Sequence, residues 1–129
     1  MATKILLVED DPALQRLYVK ILTQASYEYR LANNGVAIVE KALSEAPDLI
    51  IMDVMMPERN GMKALADLKN NDTTKNIPVI MLSAYQDDEL LFQAMQLGAK
   101  RYLVKSMLEP SQVLDIVKET LLESASTQA

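Results

Sequence analysis

Glu9, Asp10, Asp11, Asp53, Ser83 and Lys105 each stand where a short apolar run of the chain gives out. The runs are Lys4-Ile5-Leu6-Leu7-Val8, Leu49-Ile50-Ile51-Met52, Pro78-Val79-Ile80-Met81-Leu82 and Tyr102-Leu103-Val104. Singly, each polar residue has an ordinary reading. Asp11 reads as a helix cap, Asp53 and Ser83 as turn residues, and Lys105 as a solvated strand end. Together they bring Glu9, Asp10 and Asp53 to one edge with a hydroxyl and an ammonium. Carboxylates gathered in one cleft repel, and they persist there when a cation occupies the cleft or protons neutralise them. The chain contains no histidine and no cysteine, so the ligands are hard oxygens, which favour Mg²⁺ over zinc or copper. Mg²⁺ keeps waters and leaves positions for a substrate phosphate. A lysine and a hydroxyl can then bind the remaining phosphate oxygens, and one carboxylate can act as a nucleophile to form an aspartyl phosphate. There is no Gly-rich phosphate loop, and the chain has only 3 glycines, so no nucleotide pocket accompanies the site.

The elements that must position these groups are legible in order. Leu49–Met52 is uniformly apolar, the pattern of a strand buried on both faces of a parallel sheet, and Asp53 falls at its carboxyl end. Ligands of open α/β sheets bind at that edge. The first strand, Lys4–Val8, leads through the acidic turn to Pro12, placed as the first residue of a helix with Asp11 as its cap. Leu14, Leu17, Tyr18, Ile21, Leu22 and Ala25 follow at helical spacing. Tyr27–Ala32 is a weaker strand, and Glu28 and Arg30 point to a sheet edge; Asn33-Asn34-Gly35 makes the next turn. Val36, Val39, Ala42, Leu43 and Ala46 form a helical stripe stopped by Pro47. Pro57 and Gly61 shape a short loop after Asp53, and Met62, Leu65 and Leu68 mark a third helix. Residues 70–76 read as a solvated loop before the strand that ends in Ser83. Asp87-Asp88-Glu89 opens a helix carrying Leu90, Leu91, Ala94, Met95 and Leu97, and Gly98 ends it. After the strand ending in Lys105, Ser111 is placed to cap a last helix with Val113, Ile116, Val117 and Leu121 inward. Residues 124–129 read as a polar tail. Five strand–helix alternations predict an α/β fold: a doubly wound five-stranded parallel sheet with helices on both faces.

With 129 residues the chain fits one domain with a sizeable core. Its net charge of −5 argues against direct nucleic acid binding by bulk electrostatics. No apolar run reaches membrane-spanning length, and Met1-Ala2-Thr3-Lys4 lacks a signal-peptide core, so a cytoplasmic location is expected.

Over nearly its whole length the chain resembles the receiver domain of two-component response regulators, the chemotaxis-regulator-like superfamily. The matching motifs are Ile5-Leu6-Leu7-Val8-Glu9-Asp10-Asp11, Asp53-Val54-Met55-Met56-Pro57 with Gly61, Val79-Ile80-Met81-Leu82-Ser83-Ala84, and Gly98-Ala99 through Tyr102-Leu103-Val104-Lys105. The resemblance implies a flavodoxin-like strand order 2-1-3-4-5, with residues 1–123 as the receiver domain. It implies Asp53 as phosphoacceptor, and Mg²⁺ as cofactor held by Asp10, by Glu9 directly or through water, by Asp53, and by the backbone carbonyl of Met55. Ser83 would be the switch hydroxyl, Lys105 the ion-pair partner and Tyr102 the switch aromatic. The donor would be a phosphohistidine on a histidine kinase or a histidine phosphotransfer protein, and the output a downstream protein or output domain, with no membrane partner. Such a domain catalyses its own Mg²⁺-dependent phosphorylation and dephosphorylation. A chain without histidine can receive this phosphoryl group but cannot supply it.

Three positions depart from the family pattern. Ser106 follows Lys105 where proline is usual, often after a cis bond; cis before a non-proline costs about 2.5–4 kcal/mol, so a trans bond is expected. Lys100-Arg101 stands where many DNA-binding regulators carry an acidic pair used in dimerisation, and Met107 replaces a common phenylalanine. Met55 and Tyr85 flank the expected path of attacking water and would shield an acyl phosphate. Two other readings stay open. One is a pseudo-receiver that binds partners without phosphotransfer. The other is a metal-dependent phosphatase, although Met55 stands where several such enzymes carry a second acid.

Overall fold

The computed structural model describes residues 2–56 and 61–128, with side chains only as far as residue 124. Pro57, expected to shape the loop after Asp53, lies outside the described residues. Five strands, β1 (Lys4–Val8), β2 (Glu28–Ala32), β3 (Leu49–Asp53), β4 (Val79–Ser83) and β5 (Arg101–Val104), form one sheet in the order β2-β1-β3-β4-β5. All four pairings are parallel. Between and after them run α1 (Pro12–Gln24), α2 (Ile38–Glu45), α3 (Gly61–Lys69), α4 (Asp88–Gln96) and α5 (Pro110–Gln128). The expected fold class and strand order are therefore both found.

The period-2 alternation of strand side chains divides the core in two. Leu6, Val8, Ile50, Met52, Val79 and Met81 pack beneath α2, α3 and α4, while Ile5, Leu7, Leu49, Ile51, Ile80 and Leu82 pack beneath α1 and α5. Every residue of β3 and β4 is buried, as uniformly apolar central strands require. The edge strand β2 is the most exposed, which accounts for its charged residues.

Helix starts follow the expected chemistry at α1 and α4. Asp11 Oδ1 accepts from Ala13 N at 2.8 Å, ahead of Pro12 in the first turn, and Asp87 Oδ1 accepts from Glu89 N at 2.9 Å. Gly98 takes φ 103°, the left-handed turn that stops α4.

Several details differ from the sequence reading. α2 begins only at Ile38, after a left-handed Ala37 (φ 59°), so Ile38 and Ala42 face the sheet while Val36 and Leu43 are exposed. On α4 only Ala94 is buried, and Leu91 and Met95 face solvent beside Phe92. Ser111 does not cap α5. The helix begins at Pro110, and Gln112 Oε1 reaches back to accept from Glu109 N at 2.7 Å. Residues 124–128 continue α5 rather than leaving it as a tail, since no glycine or proline stops the helix there. Thr74, in the loop read as solvated, is buried, and its hydroxyl donates to Leu68 O at 2.7 Å, closing the end of α3.

Gly61 carries the tightest constraint near the strand ends. Its N–H donates to Val54 O at 2.7 Å, and a Cβ there would lie 2.2 Å from Asp53 O. Backbone rather than a pliant side chain occupies that space, so only glycine lets α3 start against β3. Gly61→Ala is expected to destabilise the fold by about 1–3 kcal/mol, read as a lower urea midpoint at unchanged m-value.

Candidate functional site

The parallel sheet delivers the ends of β1, β3, β4 and β5 to one edge. Glu9 directly follows β1, Asp53 and Ser83 are the last residues of β3 and β4, and Lys105 directly follows β5. Register places Asp53 beside Leu82 and Ser83 beside Val104, so the groups are neighbours although they are far apart in sequence.

Lys105 joins them. Its ammonium donates to Glu9 Oε1 and to Asp53 Oδ2, both at 2.9 Å. All three side chains are largely removed from water, at 14%, 1% and 7% exposure for Lys105, Glu9 and Asp53. Burial alone would pull the Lys105 ammonium down, but its bonds to Glu9 and Asp53 outweigh that and hold it above its ordinary value. The remaining carboxylate oxygens also have partners. Glu9 Oε2 accepts from Asp10 N at 3.0 Å and Asp11 N at 3.3 Å, and Asp53 Oδ1 accepts from Met55 N at 3.2 Å. Asp10 is exposed at the mouth.

Carboxylate oxygens of Glu9, Asp10 and Asp53 lie within 4.8 Å of one another, close enough to share one cation. One ammonium against this trio leaves an excess of negative charge. The donors are all hard oxygens, so the residues fit Mg²⁺. The cluster can therefore hold a divalent metal.

Ser83 is fully buried beside them, but its hydroxyl is engaged elsewhere. It donates to Tyr85 O at 3.0 Å and accepts from Tyr85 N at 3.1 Å. The Tyr102 hydroxyl approaches the same Tyr85 carbonyl at 3.5 Å, so that one carbonyl faces both groups. Met55 and Tyr85 are exposed at 58% and 67%, positioned on the loops that flank Asp53. The Lys105–Ser106 bond is trans, as expected, with Lys105–Met107 forming a short 3₁₀ turn. Arg101, of the basic pair, is engaged within the chain: it bonds Lys100 O at 3.0 Å and pairs with Glu123.

One residue escaped the sequence reading. Gln15 Nε2 donates both to the Glu9 carbonyl and, at 2.9 Å, to Asn33 Oδ1. Its place one helical turn beyond Asp11 was the available signal, but an amide on an amphipathic helix rarely stands out.

This arrangement defines a class: a flavodoxin-like α/β domain carrying an acidic, lysine-bridged site at the carboxyl edge of its sheet. Residues 5–118 match the family model of the response regulator receiver domain, and the chain belongs to that family. Receiver domains accept phosphoryl groups from histidine kinases. The chain is 39% identical to the chemotaxis protein CheY of Bacillus subtilis over 94% of its own length and 99% of that protein's. It also matches the structure of a CheY-like receiver domain protein from Methanospirillum hungatei (TM-score 0.90, 25% identity, 98% of this chain and 99% of that one). A third match is the phosphorylated cyanobacterial phytochrome response regulator RcpA (TM-score 0.79, 32% identity, 98% and 96% covered). Other relatives are longer, and the chain spans 46% of one transcriptional regulatory protein of Bacillus subtilis. Among the described residues, no helix is long and apolar enough to cross a membrane.

Burial pushes the Glu9 carboxyl up from the usual 4.5 to about 7; its contact with Asp53 adds to this and Lys105 opposes it. The folded state thus retains a proton that the unfolded chain gives up earlier. In metal-free buffer, stability from this group should therefore fall as pH rises from 4.5 through about 7. Glu9→Gln should flatten that fall, as measured by melting temperature against pH.

Proposed function

We propose that the protein is a phosphorylation-dependent signalling switch that takes a phosphoryl group onto Asp53. The observation that carries this reading is the Lys105 ammonium bridging Asp53 and Glu9 at 2.9 Å each. A buried lysine so placed supplies positive charge where a phosphoryl group on Asp53 would bring negative charge, before the reaction begins. The relative RcpA, crystallised in phosphorylated form, adds support.

In this mechanism an Asp53 carboxylate oxygen forms a bond to phosphorus as the phosphorus–nitrogen bond of a donor phosphohistidine breaks. The donor imidazole leaves with the electron pair of that bond. Lys105 and the Met55 N–H orient the Asp53 carboxylate for the attack. Glu9, Asp10, Asp53 and the Met55 carbonyl would hold Mg²⁺, which when bound offsets the charge on the phosphoryl oxygens. Once the phosphoryl group is in place, Ser83 exchanges its bond to Tyr85 O for one to a phosphoryl oxygen. That frees the Tyr85 carbonyl for Tyr102, and the face built by α4, β5 and α5 changes with it.

Incubation with a small-molecule acyl phosphate and Mg²⁺ tests the reading. The protein should gain the mass of one phosphoryl group, and Asp53→Ala should gain none. Unmodified wild-type protein would instead support a pseudo-receiver that binds partners without phosphotransfer. Turnover of an ordinary phosphate ester would point to a phosphatase.

In this reading the exposed Met55 and Tyr85 side chains shield the acyl phosphate from water with apolar and aromatic surface. The Met55→Asn, Tyr85→Glu double variant should lose its phosphate several-fold faster than wild type, followed by mass spectrometry after donor removal. An equal or slower loss would refute the shielding role.

A further inference from the structure

We propose that Gln15 is a positioning residue for divalent-cation binding, acting by fixing the peptide plane between Glu9 and Asp10. This rests on the reading of Glu9, Asp10 and Asp53 as a Mg²⁺ site.

The Glu9–Asp10 peptide has two polar groups, and both are held. Its carbonyl oxygen accepts from Gln15 Nε2, and its N–H donates to Glu9 Oε2 at 3.0 Å. A peptide unit is planar, so fixing both ends of its dipole fixes the direction in which the chain enters Asp10. No hydrogen bond among the described residues restrains the Asp10 carboxylate itself, and the residue is exposed. Its aim toward the other two carboxylates therefore depends on this backbone.

The amide orientation of Gln15 is settled by chemistry. The Glu9 carbonyl can only accept, so the nitrogen must face it, and the second amide proton then points to Asn33 Oδ1 at 2.9 Å. Asn33 braces Gln15 from the turn after β2, while Gln15 N donates to Asp11 O at 2.9 Å within α1. Glu9 N in turn donates to Ala32 O at 3.0 Å, so the same two turns are joined twice. Gln15 thus couples the metal-bearing turn to the edge of the sheet through the Glu9 backbone, without bonding any of the three carboxylates. Partners that orient a ligand in this way typically change metal affinity by about 10–100-fold when removed.

The test is a Mg²⁺ titration followed by melting temperature, which needs no phosphotransfer. Gln15→Leu keeps the volume and removes both donors. It should raise the half-saturating Mg²⁺ concentration about tenfold while leaving the metal-free melting temperature near that of wild type. Asn33→Ala should produce a smaller rise, and the double variant should be no worse than Gln15→Leu alone, because Asn33 acts through Gln15. Asn33→Asp, which keeps the acceptor, should stay close to wild type. A lower metal-free melting temperature with unchanged half-saturation in Gln15→Leu and Asn33→Ala would overturn the proposal and leave Gln15 a structural residue. Wild-type protein that shows no Mg²⁺-dependent shift would instead overturn the metal-site reading beneath it.

Discussion

Lys105 brings one positive charge to two buried carboxylates, and the rest of the site depends on that meeting. Its partners stand 96 and 52 residues away in sequence, so the contact exists only when β1, β3 and β5 are all in register. Removing one member of such a buried set leaves an uncompensated charge, which is far worse than losing an exposed pair. The arrangement also stops short of neutrality. With Asp10 alongside, the edge retains an excess of acid, which suits it to a cation.

The scaffold around this contact is rigid for simple reasons. β3 and β4 are buried on both faces, so Asp53 and Ser83 end strands that cannot slip without exposing apolar surface. Gly61 lets α3 begin directly against the Asp53 backbone. The acidic turn after β1 is held by its own side chains: Asp11 caps α1, and Glu9 accepts from the two following N–H groups. Against this stiff background the hydroxyls of Ser83 and Tyr102 converge on one Tyr85 carbonyl.

Much of this was legible before any coordinates. The abrupt ends of four apolar runs located Glu9, Asp10, Asp53, Ser83 and Lys105, and strand–helix alternation predicted the parallel sheet that unites them. The cap at Asp11, the acidic opening of α4 at Asp87-Asp88-Glu89 and the stop at Gly98 followed from local chemistry. Misreadings arose where periodicity had to choose a face. On α2 the left-handed Ala37 delays the helix and rotates its stripe, and on α4 the apolar count exceeds what the sheet covers, leaving Leu91, Phe92 and Met95 outside. Ser111 and Pro110 compete for the start of α5, and proline holds the first turn because it has no N–H to satisfy there.

By itself, the sequence determined which chemical groups stand at the strand ends and the order in which those strands occur. Those properties are local, set by apolar runs, turn residues and helix signals within a few positions. Only the tertiary structure decided which oxygen Lys105 meets, that Ser83 is held by Tyr85 rather than by Asp53, and that Gln15 grips the Glu9 carbonyl. Each of these is a hydrogen bond between distant segments or within an irregular turn, whose distance and angle follow from the packing of the whole sheet and leave no period in the sequence.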